Sequence, residues 1–234
     1  ANGVHTVYLV LADDASPPNF SPVITASVVC DTLAPTVSSV INTYDGNAIN
    51  QSYLKQGTYT FTAAVINTGA GVIAPIKHVD FYKDVAGGAA TTLVATDATE
   101  MYTWSWDTSA SAEGTWYIKA VATDVAGNSS PVNSNTRYLD KTAPTLTAFT
   151  VEGDATPINK ATPSFTASYS GTPSRMRFWA YDVATGTQSW SDYLGVAVSG
   201  SVGNVPAGEG TKQIRMWIYD NAGNYSYILK SYVF

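Results

Sequence analysis

The stretch Trp116-Tyr-Ile-Lys-Ala-Val-Ala-Thr-Asp124, followed by Val-Ala-Gly-Asn128, decides the fold of this 234-residue chain. Its Ile and Ala residues recur at every second position, which is typical of a β-strand with one face on a core. The Ala-Gly-Asn run that follows contains residues that favour turns. The stretch therefore predicts a half-buried strand that ends in a tight turn.

The same pattern occurs twice more. One copy is His5-Thr-Val-Tyr-Leu-Val-Leu-Ala-Asp13, and the other is Lys212-Gln-Ile-Arg-Met-Trp-Ile-Tyr-Asp220, followed by Asn-Ala-Gly-Asn224. Two linkers also match, Asp31-Thr-Leu-Ala-Pro-Thr36 and Asp140-Lys-Thr-Ala-Pro-Thr145. Because several landmarks keep the same order and spacing, the sequence predicts an internal repeat.

The linkers divide the chain into three parts. Residues 32–140 (the middle repeat) and 141–234 (the last repeat) are each of domain size, whereas residues 1–31 (the N-terminal stub) match only the last strands of a repeat. Many short strands without a helical apolar stripe predict an all-β fold of β-sandwiches. The short linkers contain proline, so we expect neighbouring domains to lie in an extended row.

The N-terminal stub has an apolar face formed by Val7, Leu9 and Leu11. A lone strand pair is marginally stable in water, and such a face requires an opposing sheet. We therefore expect the stub to be ordered only when it completes a sandwich. The opposing sheet comes either from the stub's own domain or from another subunit, and strand donation between subunits would build a filament.

Composition excludes several functional classes. The net charge of −6 and the pI near 4.7 argue against nucleic acid and anionic membranes as partners, and no apolar run is long enough for a membrane helix. A single cysteine, Cys30, excludes a disulfide framework and aligns with Leu139 as a small buried side chain. The chain has two histidines, His5 and His78, and no Gly-x-Ser-x-Gly motif, so we predict no enzymatic activity.

The Asp-Val-Ala-Gly-Asn run ending at Asn128, the Asp-Asn-Ala-Gly-Asn run ending at Asn224 and the Asp-x-x-Ala-Pro-Thr linkers resemble bacterial immunoglobulin-like repeats of surface adhesins and secreted multidomain proteins. The resemblance covers essentially the whole chain and implies tandem Ig-like β-sandwiches in an extended row, with an N-terminal partial repeat. It implies an extracellular, cell-surface or secreted module that serves as a spacer, stalk, adhesin or filament component. The implied partners are other domains or subunits of the same assembly, or a glycan. The alternative is a carbohydrate-binding accessory module of a secreted hydrolase.

Acidic turn residues are candidate ligands for Ca²⁺ at the domain junctions, because this cation takes six to eight oxygen ligands. In a row of such sandwiches the linker of one domain meets the last turn of the next. The other interpretation is that each Asp forms only an Asx-turn, without a metal. The candidate metal residues are Asp31, Asp124 and Asn128 at one junction, and Asp45, Asn50, Asp140, Asp220 and Asn224 at the other.

The last repeat has an unusual set of outward-facing residues. On one strand Ile214, Met216 and Ile218 face inward, and on a second strand Met176, Phe178 and Ala180 do so. The alternate residues of each strand therefore face outward. Such a patch predicts a binding surface, unless the Gln188–Tyr193 segment with Trp190 folds over it. The aligned outward positions of the middle repeat, Lys119, Val121 and Thr123, form an ordinary surface. The candidate binding residues are Arg177, Trp179, Tyr181, Arg215, Trp217 and Tyr219.

Overall fold

The computed structural model describes residues 2–43, 52–69, 73–85, 91–131 and 133–234. Within these residues the chain forms strands, turns and one short 3-10 segment, Glu152–Asp154, so the predicted all-β class is confirmed. None of the helical structure found there is long and apolar enough to span a bilayer. The strands are β1 Gly3–Leu9, β2 Ile24–Cys30, β3 Thr36–Thr43, β4 Tyr53–Leu54, β5 Thr58–Ile66, β6 Ile76–Val85, β7 Thr92–Asp97, β8 Thr103–Asp107, β9 Gly114–Asp124, β10 Asn133–Leu139, β11 Thr145–Val151, β12 Ser164–Ser170, β13 Arg175–Asp182, β14 Gln188–Leu194, β15 Ser199–Ser201, β16 Thr211–Tyr219 and β17 Tyr225–Val233.

Each full repeat contains two sheets. In the last repeat the strand orders are β11-β12-β15 and β14-β13-β16-β17, and in the middle repeat they are β3-β5-β8 and β4-β10-β9-β6-β7. The strand that carries the repeat pattern is β9 in the middle repeat and β16 in the last repeat. β9 pairs antiparallel with β6, and β16 pairs antiparallel with β13.

The predicted alternation of apolar residues forms the cores. Ile118, Ala120 and Ala122 of β9 are fully buried, as are Ile214, Met216 and Ile218 of β16. Burial of each large apolar side chain stabilises the fold by roughly 1.5–3 kcal/mol. The core of the last repeat contains Leu146, Phe149, Val151, Ile158, Phe165, Ala167, Met176, Phe178, Ala180, Val202, Ile214, Met216, Ile218 and Tyr232.

A buried ion pair lies at one end of the core of the last repeat. Lys212 is fully buried and donates a hydrogen bond from its Nζ atom to the carboxylate of Asp182, which also accepts hydrogen bonds from the backbone amides of Ala184 and Thr185. These contacts, chiefly the one with Lys212, lower the pKa of Asp182 to about 2. A buried charge requires such a partner because its desolvation is costly.

The middle repeat has three tryptophans inside its sandwich. Trp106 and Trp116 are buried, and Trp104 stacks on Trp106 with ring centroids 6.0 Å apart. The ammonium group of Lys83 lies over all three rings, 4.8 Å from the centroid of Trp106 and 5.4 Å from that of Trp116. Burial lowers the pKa of Lys83. Trp106 and Trp116 are therefore core residues, and the half-buried Trp104 packs against Trp106.

The N-terminal stub forms the expected strand pair. β1 and β2 pair antiparallel over seven positions, from Gly3 with Cys30 to Leu9 with Ile24. The apolar face is uncovered within the described residues, since Val7 and Leu9 are 52% exposed and Leu11 is 60% exposed. Cys30 is half-buried rather than buried, because the end of β2 lacks the opposing sheet that covers Leu139.

The chain divides into two compact units. The first comprises Ala1–Gly46, Thr58–Asp107 and Thr115–Arg137, and the second comprises Asn47–Gly57, Thr108–Gly114 and Tyr138–Phe234. The predicted domain boundaries after residues 31 and 140, and the extended row, stay predictions.

Candidate functional site

The outward residues of β13 and β16 share one face of the four-stranded sheet. The register pairs Arg177 with Trp217 and Trp179 with Arg215. Burial alternates along β13, where Met176, Phe178 and Ala180 lie in the core and the residues between them are partly exposed. The structure thus brings together all six candidate binding residues, Arg177, Trp179, Tyr181, Arg215, Trp217 and Tyr219.

The two outer strands of this sheet enlarge the patch. Trp179 pairs with Trp190 of β14, and Arg177 pairs with Asp192 of the same strand. On the other side, Trp217 pairs with Tyr227 of β17. We call the combined surface the aromatic–arginine face; it comprises Arg175, Arg177, Trp179, Tyr181, Trp190, Asp192, Arg215, Trp217, Tyr219, Tyr225 and Tyr227.

Five aromatic rings of this face form a continuous row across the four strands. Tyr181 stacks on Trp179 at 5.2 Å, and Trp179 lies 6.3 Å from Trp190. Trp190 stacks on Trp217 at 5.6 Å, and Trp217 lies 6.1 Å from Tyr227. All these distances join ring centroids, and they fall within the range in which aromatic pairs contribute about 0.5–1.5 kcal/mol beyond burial.

Arg215 lies at the centre of the row. Its guanidinium carbon is 5.4 Å from the ring centroid of Trp179, 5.1 Å from that of Trp217 and 4.9 Å from that of Tyr227. These are cation–π distances, and each contact contributes about 0.5–2 kcal/mol depending on desolvation. The guanidinium therefore fixes the rings of three strands relative to one another.

The other two arginines occupy different electrostatic environments. Arg177 donates two hydrogen bonds to the carboxylate of Asp192, one of them from Nη2 to Oδ2 at 2.9 Å, and its guanidinium lies 5.5 Å from the ring centroid of Trp190. This contact lowers the pKa of Asp192 and raises that of Arg177. Arg175 instead lies over Tyr219, 4.4 Å from the ring centroid.

Exposure varies across the face. Trp217 is only 9% exposed, because Trp190, Arg215 and Tyr227 surround its ring. In contrast, Trp190 is 50% exposed and Tyr227 is 51% exposed. The Gln188–Tyr193 segment forms β14 beside β13 rather than folding over the sheet. Trp190 thus shields Trp217 while its own ring remains accessible.

The sequence interpretation did not include several residues of the face. Tyr225 and Tyr227 come from β17, where Tyr, Tyr and Leu alternate with buried or half-buried residues, and this period-2 signal was available in the sequence. Asp192 and Trp190 belong to an edge strand whose partner cannot be identified from alternation alone.

The Asp and Asn of each repeat turn form the same hydrogen-bonded clamp. In the last repeat, Asn224 donates from its backbone amide to Oδ1 of Asp220 and from Nδ2 to Oδ2, both at 2.9 Å. Nδ2 also donates to the backbone carbonyl of Asp140 in the linker at 2.8 Å. Asn128 makes the same contacts with Asp124 and the carbonyl of Asp31.

A third clamp lies in the N-terminal stub. Asn19 donates from its backbone amide and from Nδ2 to the two carboxylate oxygens of Asp13, both at 2.8 Å, and these contacts lower the pKa of Asp13. The sequence interpretation aligned Asp13 with Asp124 and Asp220 but did not assign Asn19. Its turn is two residues longer than the other turns, so the spacing alone did not reveal it.

The two linker aspartates contact the clamps through their backbone carbonyls. Burial raises the pKa of Asp140, and the negative charges of Asp220 and Glu113 raise it further. A hydrogen bond from the backbone amide of Thr142 acts in the opposite direction but does not cancel the increase. Asp45 and Asn50, the remaining candidate metal ligands of this junction, lie outside the described residues. Within the described part of the chain, no group of three or more His, Cys, Asp and Glu side chains could hold a metal ion. Calcium at the junctions stays a prediction.

The comparisons with known proteins identify the fold. No family model matches the chain, and no curated protein matches it. Among solved structures, fibronectin(III)-like modules of Clostridium thermocellum CbhA are 21% identical, with a TM-score of 0.50 over 82% of this chain and 92% of that chain. The FN1–FN3 domains of chicken CNTN1 are 12% identical, with a TM-score of 0.53 over 97% of this chain and 77% of that chain.

A tetra-tandem repeat from the extending region of a large adhesion protein is also similar. It is 18% identical, with a TM-score of 0.35 over 99% of this chain and 56% of that chain. The predicted resemblance to tandem Ig-like repeats is consistent with the fibronectin III-like neighbours. The chain has the fold of fibronectin III-like and Ig-like β-sandwich modules.

Proposed function

We propose that this chain is a non-catalytic extracellular module of a bacterial surface or secreted protein, with a structural and adhesive role. The aromatic–arginine face of the last repeat is its contact surface. The partner is another domain or subunit of the same surface assembly, or a glycan. One observation supports the proposal: half-exposed aromatic rings, Trp190 and Tyr227 among them, lie together on the outer face of one sheet.

The exposed rings carry the proposal. A contiguous patch of exposed apolar surface is unfavourable in water and marks an interaction site more often than scattered residues do. Trp, Tyr and Arg are also the residues most enriched at binding hot spots. Trp190, Tyr225 and Tyr227 are each about half exposed and belong to one surface. A spacer without a binding role does not require such a surface.

A second candidate function is that of a carbohydrate-binding accessory module of a secreted hydrolase. The open geometry of the face favours it, because the half-exposed ring of Trp190, which stacks on Trp217, presents a planar apolar surface at the outer side of a sheet. Such planes match the apolar face of a sugar ring, and binding of this kind requires no catalytic residue.

A glycan array combined with sedimentation velocity tests the proposal. We expect the chain to bind an arrayed glycan or to self-associate, and Trp190→Ala together with Tyr227→Ala to abolish this interaction. Because both rings are half exposed, the free energy of unfolding should fall by less than about 1 kcal/mol per substitution. The control is Val121→Ala, at the outward position of the middle repeat that aligns with Trp217. A chain that binds nothing, and a double variant that behaves as the parent does, would contradict an adhesive role of this face.

A further inference from the structure

The charge of the aromatic–arginine face is opposite to that of the rest of the chain. The face contains three arginines and one aspartate, which gives it a charge of +2 within a chain whose net charge is −6. The remaining residues therefore carry −8. Such a local concentration of positive charge attracts anionic groups over about a Debye length, which is ~8 Å at physiological ionic strength.

The three arginines differ in how far they are neutralised. Arg177 is paired with Asp192 by two hydrogen bonds. Among the described residues, Arg215 and Arg175 form no ion pair, and the Nε atom of each is buried without a hydrogen-bond partner. Both side chains as a whole stay partly exposed. Aromatic rings stabilise these cations but do not neutralise them, so two guanidinium groups remain available to an anion.

The guanidinium geometry indicates which anions fit. A guanidinium group donates hydrogen bonds in its own plane and matches the two oxygens of a carboxylate or sulfate. Arg215 lies among the rings of Trp179, Trp217 and Tyr227, so an acid group bound there would have apolar planes beside it. The site thus combines a planar apolar surface with a cation within about 5 Å.

We infer that the aromatic–arginine face binds an anionic polysaccharide whose sugar units carry carboxylate or sulfate groups. The inference rests on the proposed function, since it names the partner class of the same face. One acidic sugar unit has both required features, an apolar ring face and a charged group. A neutral glycan would cover Arg215 without supplying an anion, and covering an unpaired charge costs free energy. An acidic peptide supplies carboxylates but lacks repeated planar apolar faces.

Binding of the full chain to immobilised polygalacturonate and dextran sulfate, with unsulfated dextran as the neutral probe, tests this inference. We expect binding to at least one anionic polymer at 50 mM NaCl and at least tenfold weaker binding at 500 mM NaCl. Arg215→Gln should weaken binding by about tenfold or more, because it removes a charge-assisted bidentate contact. Arg215→Lys, which keeps the charge but not the planar donor pair, should lose an intermediate amount.

The chain provides a matched control for this substitution. Lys119 occupies the position of the middle repeat that aligns with Arg215, and its Nζ atom lies 4.6 Å from the ring centroid of Tyr82. Lys119→Gln makes the same change in net charge on the other repeat and should alter binding by less than twofold. Equal losses for the two variants would show non-specific attraction and overturn the inference.

Two other outcomes separate this inference from the proposed function. Salt-independent binding to dextran that is lost in Trp190→Ala would overturn the anionic specificity and leave the contact face in place. Absence of binding to all three polymers would also overturn the inference, and the proposed function would then depend on the glycan array and sedimentation result alone. If Arg215→Gln lowers the Tm by more than a few degrees, its loss of binding could reflect partial unfolding. In that case the binding of Arg215→Lys and the salt dependence of the parent chain test the inference.

Discussion

The middle and last repeats place their tryptophans differently relative to the sandwich core. In the middle repeat, Trp104, Trp106 and Trp116 lie inside the sandwich under Lys83. In the last repeat, Trp179, Trp190 and Trp217 lie on the outer face with the arginines. One fold therefore uses the same residue type for its core in one copy and for its surface in the other.

A single shared contact shows how the outer face was extended. Lys119 and Tyr82 pair across β9 and β6, and Arg215 and Trp179 pair at the same register across β16 and β13. In each repeat the cation lies over the ring. In the last repeat further rings adjoin this contact on both outer strands. A single cation–ring pair is therefore an ordinary surface feature of this fold, whereas the row of five aromatic rings in the last repeat requires a separate explanation.

Tryptophan-to-alanine substitutions should give the largest difference between the two repeats. Trp106→Ala removes a ring that is 2% exposed and should cost about 3–5 kcal/mol, the usual loss for truncating a buried aromatic side chain. Trp190→Ala removes a half-exposed ring and should cost less than about 1 kcal/mol. Urea unfolding, with hydrogen–deuterium exchange to assign each transition, measures both. Similar losses would mean that the outer row is part of the core.

Removal of the clamp asparagine should lower the free energy of unfolding by similar amounts in the middle and last repeats, and by much less in the N-terminal stub. Asn224→Ala and Asn128→Ala each remove the donor to a buried aspartate and to a linker carbonyl, so each should cost about 1–3 kcal/mol. Asn19→Ala acts on an exposed strand pair and should leave the main unfolding transition within about 0.5 kcal/mol. Thermal scans of the three variants test this order. A large loss for Asn19→Ala would show that the stub is stabilised by the rest of the chain.

The sequence predicted the fold well because its signals are local. Alternation in β9 and β16 identified the inward residues correctly, and Ile118 and Ile214 are both fully buried. The same alternation in the stub identified the strand pair, but Val7 is 52% exposed because burial depends on an opposing sheet that local pattern does not supply.

The sequence predicted less of the candidate site because the site depends on pairing between strands. Alternation showed that Trp179 and Trp217 face outward, and the register then brought them together. The contribution of Trp190 depends on β14 lying beside β13, and this is a long-range choice. Likewise, the clamp of Asn224 on the carbonyl of Asp140 joins residues far apart in the sequence.

Acid should reveal a further difference between the two repeats. Asp182 and Lys212 of the last repeat align with Val85 and Trp116 of the middle repeat, so only the last repeat has an ion pair at this position. The pKa of Asp182 is lowered from 3.8 to about 2, so its stabilising contribution is complete above pH 4 and is lost as the pH falls towards 2. We expect Asp182→Asn to lower stability at pH 7 and to flatten the pH dependence of the last repeat between pH 4 and 2. Denaturant midpoints across this range measure the slope, and an unchanged slope would contradict the role of the pair.

Calcium should produce the smallest effect. Burial and the charges of Asp220 and Glu113 raise the pKa of Asp140, so a bound cation would relieve repulsion at this linker. A site with a Kd of about 10⁻⁴–10⁻³ M, typical of extracellular modules, would gain about 1 kcal/mol at 2 mM Ca²⁺ and raise the Tm by a few degrees. Asp140→Asn should remove this gain, whereas Asp13→Asn should not, because the clamp of Asp13 contacts no linker aspartate among the described residues. Thermal scans in chelator and in 2 mM Ca²⁺ provide the measurement. If the Tm of the parent chain is the same in both, the carboxylates of Asp220 and Asp124 serve only as acceptors for Asn224 and Asn128, and the turns hold the linkers without a metal.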